Sequence, residues 1–202
     1  MKPKSSKISV PATTLSTGVY DFYQINPFTM AYHNAVLAGQ LLGILIGRGM
    51  IFPQACPSLL GFSLGSVFAY SACLMMFDLG CKNRVGDLLL MGSCVDLMSF
   101  GQNVHKLIGS RGVVSGKLTV LFTTQDSILS FLFKTARLGE IPIGLHRVSD
   151  EFVAASLRDN DPIIKQFSPE QLQQYMRIKY ENVDVSERVF GHTDYAGKMV
   201  DL

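Results

Sequence analysis

The chain has 202 residues, 48% of them hydrophobic, with 18 basic and 16 acidic side chains and a formal net charge of +2. That length supports one domain with its own core, and the near-neutral balance excludes the electrostatic footprint of a nucleic-acid binder. The cysteines Cys56, Cys73, Cys81 and Cys94 form neither a CxxC pair nor a Cys/His metal pattern, so reduced thiols in an intracellular, non-secreted protein are expected, with no metal and no cofactor.

Met1 to Lys7 is basic, but no apolar segment follows to make a secretory signal. Residues 1–17 read as a polar tail, and residues 18–202 as a single domain. Val19 to Ile25 is a short strand candidate. Asn26-Pro27 is a helix start, asparagine at the N-cap and proline at the first helical position. Phe28, Ala31, Tyr32, Ala35, Leu42, Leu45 and Ile46 then recur at helical spacing. Gly39 and Gly43 allow a second backbone to approach that helix, and Gly47, Gly49 and Pro53 end it.

From Gly49 to Phe77 there is no charged residue, a run long enough to span a bilayer. Pro53 and Pro57 break its first part, and Gly61 and Gly65 interrupt the rest. A buried strand, a turn and a helix of a parallel α/β core is therefore the expectation. Within that run Leu59-Leu60-Gly61-Phe62-Ser63-Leu64-Gly65-Ser66 has the Gly-x-Ser-x-Gly spacing of a nucleophile elbow. A serine hydroxyl reacts only when held clear of the surface beside a base. A sharp strand-to-helix turn does that, and glycines two before and two after the serine are expected to relieve the crowding. A Gly/Ser-rich turn beside a buried helix has the same pattern, so the chemistry depends on what partners the chain supplies.

Ser66 to Phe77 continues as a helix, capped near Gly80. Asp87 to Met91 is a second apolar strand. Cys94 to Gly116 is weakly patterned and reads as loop, with a short helix near Gln102 to Ile108. Lys117 to Phe122 is a third strand, followed by Asp126 and an apolar helix over Ser127 to Thr135. Arg137 to Val148 is loop, and Phe152 to Leu157 a short helix. Ser168-Pro169-Glu170-Gln171 is a capping box opening a helix to Lys179. Asn182 to Ser186 is a fourth strand, with Gly191-His192-Thr193-Asp194 in the turn after it. Strands alternating with helices give an α/β class and a mostly parallel sheet.

Ligands of such sheets bind beyond the carboxyl ends of the strands. Those ends carry, in order, Ser63, Ser93 to Asp96, Asp126 and His192. Nucleophile, acid, histidine is the order of α/β-hydrolases. Ser63 would attack an acyl carbonyl, His192 would carry its proton, and Asp126 would orient the imidazole. The Leu64 N–H would be one oxyanion donor. Asp126 also fits as a plain helix cap, and Asp96 is the rival acid.

Four segments carry a family resemblance: Asn26-Pro27-Phe28; Leu60 to Gly65; Val113-Val114-Ser115-Gly116-Lys117-Leu118 with Asp126 and Phe131-Leu132-Phe133; and Glu181 to Ser186 with Gly191-His192-Thr193-Asp194-Tyr195. On these the chain resembles the α/β-hydrolase-like family that includes the transmembrane and coiled-coil domain-containing proteins of eukaryotes. The resemblance implies the C-terminal half of a hydrolase domain, with the early strands missing and a serine-hydrolase site. It also implies membrane association but brings no substrate; a small acyl ester or lipid is the expectation from the Phe- and Met-rich loops. The elbow strand is then expected at or near the sheet edge, open to a second copy or to a partner. Residues 149–179 look longer than the family's usual link and are expected as a cap over the site. The competing expectation is a non-catalytic remnant that binds a protein or a membrane.

Overall fold

The computed structural model describes residues 26–137 and 139–198. The tail over 1–17, the strand candidate Val19 to Ile25 and residues 199–202 lie outside them. Helix α1, Pro27–Gly47, starts as its sequence dictates: the Asn26 side chain accepts the Phe28 N–H at 2.9 Å, with Pro27 in the first turn. It runs beside α2, Leu64–Asp78, in close backbone contact. A Cβ on Gly39 would come within 2.2 Å of the Phe68 carbonyl oxygen, and one on Gly43 within 2.5 Å of that of Ala72. Gly39→Leu should therefore prise the helices apart and cost about 1–3 kcal/mol. Ala38→Leu, on the exposed side of α1, should leave the urea midpoint unchanged.

No single helix occupies the uncharged stretch 49–77. It holds turns, strand β1 (Leu59–Phe62) and most of α2. Among the described residues, the helix long and apolar enough to cross a membrane, by length and composition alone, is α1.

Strands β1, β2 (Leu88–Met91), β3 (Leu118–Phe122) and β4 (Tyr180–Asp184) form a parallel sheet in the order β1-β2-β3-β4. Leu59, Leu88, Leu118 and Tyr180 stand in register across it. The fold is thus α/β with flanking helices, as the alternating pattern predicts, and the elbow strand lies at the edge of the described sheet. Each step to the next parallel strand needs a crossover, and crossovers of one hand place their helices on one face. Leu88, Leu90, Leu118, Val120 and Tyr180 point to that face and are buried with the helices in the main core. On the other face Met91, Leu121, Val185, Val189 and Tyr195 form a smaller cluster under α7, Asp194–Lys198. Leu89, Thr119 and Val183 line a more open hollow beside it.

Two expectations need correction. The stretch after β2 contains a full helix, α3, Leu97–Ile108, rather than loop with a short helix. Phe100, Val104, Leu107 and Ile108 make its buried stripe, and the polar residues between them hid it. Residues 149–179 do not cap the site. They form α5 (Asp150–Asn160), a 3₁₀ turn (Ile164–Gln166) and α6 (Pro169–Lys179), which complete the helical layer. Ser156 donates to the Gly101 carbonyl, Tyr175 to that of Ile108 and Lys179 to those of Val114 and Ser115. The last of these contacts lie at the amino end of β3, opposite the carboxyl ends where the site sits.

Candidate active site

The site begins with the turn from β1 to α2. Ser63 sits there with φ 54° and ψ −123°, a conformation that strains a residue bearing a Cβ by about 1–3 kcal/mol. Gly61 makes the turn passable: a Cβ there would meet the Gly65 carbonyl oxygen and Ser66 Cα, both at 2.5 Å. Gly65 has no such role, since a Cβ on it would have nothing within 4 Å. Only one of the two elbow glycines is a steric necessity. A serine at a helix N-cap ordinarily bonds the first-turn N–H groups, but the Ser63 side chain makes no cap bond.

Its hydroxyl instead meets His192, with Oγ 2.7 Å from Nε2. On the other side of the ring Nδ1 lies 2.6 Å from Asp126 Oδ2. An ionised carboxylate can only accept, so Nδ1 carries the proton and Nε2 is left to accept from the serine. The Asp126 side chain is fully buried and that of His192 is 12% exposed. The Phe62 ring lies against the imidazole, 4.9 Å between centroids. Asp126 Oδ1 meanwhile accepts the Leu129 N–H at 2.8 Å and caps α4, Ser127–Ala136. The cap and the histidine partner are one residue, because a carboxylate has two oxygens. Leu64 is the first residue of α2, where helix geometry leaves the N–H without an intrahelical partner.

A family model described as "Protein of unknown function (DUF726)" matches residues 14–156. The chain belongs to this family. No solved structure matches it. The matched residues include Ser63, Asp96 and Asp126 and stop before His192, so the family match and the three-residue contact are separate observations.

In this family member Asp96 is not at the imidazole. Its Oδ2 accepts the Ser99 N–H at 2.9 Å and its Oδ1 the Ile141 N–H at 3.2 Å. It caps α3 and ties down the loop after α4, so both oxygens are engaged by backbone. Cys94 does lie at the serine, Sγ 3.9 Å from Ser63 Oγ. Burial pushes its thiol up to about 12, against the opposing effect of its contact with Ser63, so it stays protonated. Among the described residues no group of three His, Cys, Asp or Glu could hold a metal ion.

Three hydroxyls that hold the site together carry no sequence signal. Ser66 donates to the Ser63 carbonyl and accepts from Ser93 Oγ at 2.8 Å and from the Cys94 N–H at 3.1 Å. Both serines are fully buried, so this network fixes the elbow to the loop after β2. Thr123, also fully buried, donates to the Val189 carbonyl at 2.9 Å and accepts the Gln125 N–H at 3.2 Å. It joins the loop of Asp126 to the loop of His192. Ser66→Ala would leave the buried Cys94 N–H unpaired, at about 1–3 kcal/mol. The urea midpoint should fall accordingly, and Ser63 should become less reactive as the elbow relaxes.

Proposed function

We propose that the chain is a serine hydrolase of the α/β-hydrolase type, acting on an ester or thioester through an acyl-enzyme. The observation that carries this reading is the pair of contacts on one imidazole, Nε2 to Ser63 Oγ and Nδ1 to Asp126 Oδ2. It is supported by the strained turn that presents Ser63 and by the chain order of the three residues. The likeness to the transmembrane and coiled-coil domain-containing proteins belongs to the same reading, as does a cytoplasmic or membrane-peripheral location.

The steps follow from the geometry. Ser63 Oγ bonds to the acyl carbon while its proton passes to His192 Nε2. The carbonyl oxygen takes up the negative charge and accepts from the Leu64 N–H, and Asp126 stabilises the imidazolium. Collapse of this intermediate breaks the bond to the alcohol or thiol, which leaves with the proton from Nε2. Water then gives a proton to His192 and attacks the acyl-enzyme, releasing the acid and restoring the Ser63 hydroxyl. A fluorophosphonate probe tests the reading. The full chain should be labelled, and Ser63→Ala should not be. An unlabelled wild type, or equal labelling of the variant, would return the chain to a non-catalytic binding role.

A further inference from the structure

Phe62 is the last residue of β1 and stands directly before Ser63. It is half-buried, and its ring does more than fill the core. It lies against the His192 imidazole, with centroids 4.9 Å and planes 33° apart. The same ring meets that of Tyr195, 5.5 Å between centroids. His192 and Tyr195 are three positions apart in the segment after β4. The elbow and that segment therefore meet in two ways, through the Ser63 hydroxyl and through the Phe62 ring.

Both ends of this stack are fixed. Tyr195 is fully buried in the smaller cluster, with Met91 and Leu121, and Met91 is the register partner of Phe62 in the next strand. The loop after β2 leaves room for the two rings. A Cβ on Gly92, where φ is 48°, would come within 3.0 Å of the Tyr195 ring and 3.4 Å of the Phe62 ring.

The hydrogen bonds at the imidazole leave something for such a ring to do. Asp126 at Nδ1 and Ser63 at Nε2 hold two atoms of the imidazole. Tilting about the line between those atoms is opposed only by a broad side-chain torsion and by whatever lies on the faces of the ring. Phe62 lies on one face. An aromatic face within about 6 Å of a cation also attracts it, and the imidazole becomes a cation when Nε2 takes the Ser63 proton.

We propose that Phe62 is a positioning residue for His192, whose ring fixes the plane of the imidazole and stabilises the imidazolium that forms as Ser63 reacts. The second half of the proposal rests on the hydrolase reading above; the first half stands without it.

The experiment compares the full chain with Phe62→Leu and Phe62→Tyr. Three quantities are measured: the melting temperature, the rate of fluorophosphonate labelling, and the low-field NMR resonance of the Nδ1 proton held against Asp126. The absence of that resonance from His192→Ala identifies it. In Phe62→Leu labelling should slow about tenfold and the resonance should broaden, while the chain stays folded. Phe62→Tyr keeps the flat ring and should recover most of the rate and the sharp resonance. Phe62→Met repeats the comparison with a side chain that adapts to irregular gaps, so that a packing defect in one aliphatic variant cannot pass for loss of the ring. A wild-type rate and a sharp resonance in the aliphatic variants overturn the proposal. So does equal slowing in Phe62→Tyr and Phe62→Leu, which would show that the flat ring is not what matters. A wild type without the resonance has no fixed imidazole for Phe62 to hold, and this too overturns it. A chain that loses the resonance in Phe62→Leu but is never labelled keeps the positioning role and removes the hydrolase reading. A chain labelled at one rate in every Phe62 variant does the reverse.

Discussion

Asp126→Asn should slow the reaction of Ser63 with a fluorophosphonate by about 10⁴-fold while leaving the melting temperature nearly unchanged. The two oxygens of Asp126 have different partners: Oδ1 accepts the Leu129 N–H that opens α4, and Oδ2 faces His192 Nδ1. Asparagine caps a helix about as well as aspartate, so its carbonyl oxygen can keep the Leu129 bond. Its amide then faces Nδ1 with a donor, which favours the proton on Nε2, the atom that must accept from Ser63. Asp126→Ala should lose both functions, with a further cost of about 1 kcal/mol for the missing cap. Labelling rate and thermal midpoint, measured on both variants, separate the roles. Equal rates for wild type and Asp126→Asn would show that the carboxylate is a cap and nothing more.

The second large effect separates the two elbow glycines. A methyl on Gly61 would sit 2.5 Å from both the Gly65 carbonyl oxygen and Ser66 Cα and 2.7 Å from the Ser66 nitrogen. All three are backbone atoms, so the strand or the first turn of α2 must move. A cost of about 3 kcal/mol is expected, and any folded remainder should hold Ser63 away from His192 and resist labelling. Gly65→Ala meets open space in a helical turn and should gain up to about 1 kcal/mol from the lower entropy of the unfolded chain. Urea unfolding of both variants decides it. Equal behaviour would mean that the turn is shaped by something other than Gly61.

The features most legible in the sequence were those written locally. Asn26-Pro27 and the box of Ser168 and Gln171 work within a single turn of chain, and both form as read. The elbow and the four strands follow from short apolar runs bounded by turns. Asp126 posed a choice between cap and histidine partner that sequence could not resolve, since the structure uses one oxygen for each. Asp96 stayed a rival to Asp126 because its second partner, the Ile141 N–H, is 45 residues away. The end of α5 and the place of residues 149–179 were illegible for the same reason: Phe152 and Ser156 settle against Gly101 of another helix. Ser66, Ser93 and Thr123 have no period and no motif. Their work lies in hydrogen bonds between loops, which exist only once the loops have met.

The contact between Ser63 and His192 joins residues 129 positions apart. The elbow belongs to the first strand of the described sheet and the histidine follows the last, so the imidazole arrives only after three crossovers have closed. During synthesis Ser63 therefore leaves the ribosome long before His192. A nascent or prematurely ended chain can complete the turn at Ser63 and still lack the imidazole that meets its hydroxyl. Every break between the two residues, whether by protease or by early termination, disconnects the serine from the histidine unless the pieces stay docked. The contact between them is assembled last, and its loss on truncation should precede any loss of the helical layer around α2 and α3.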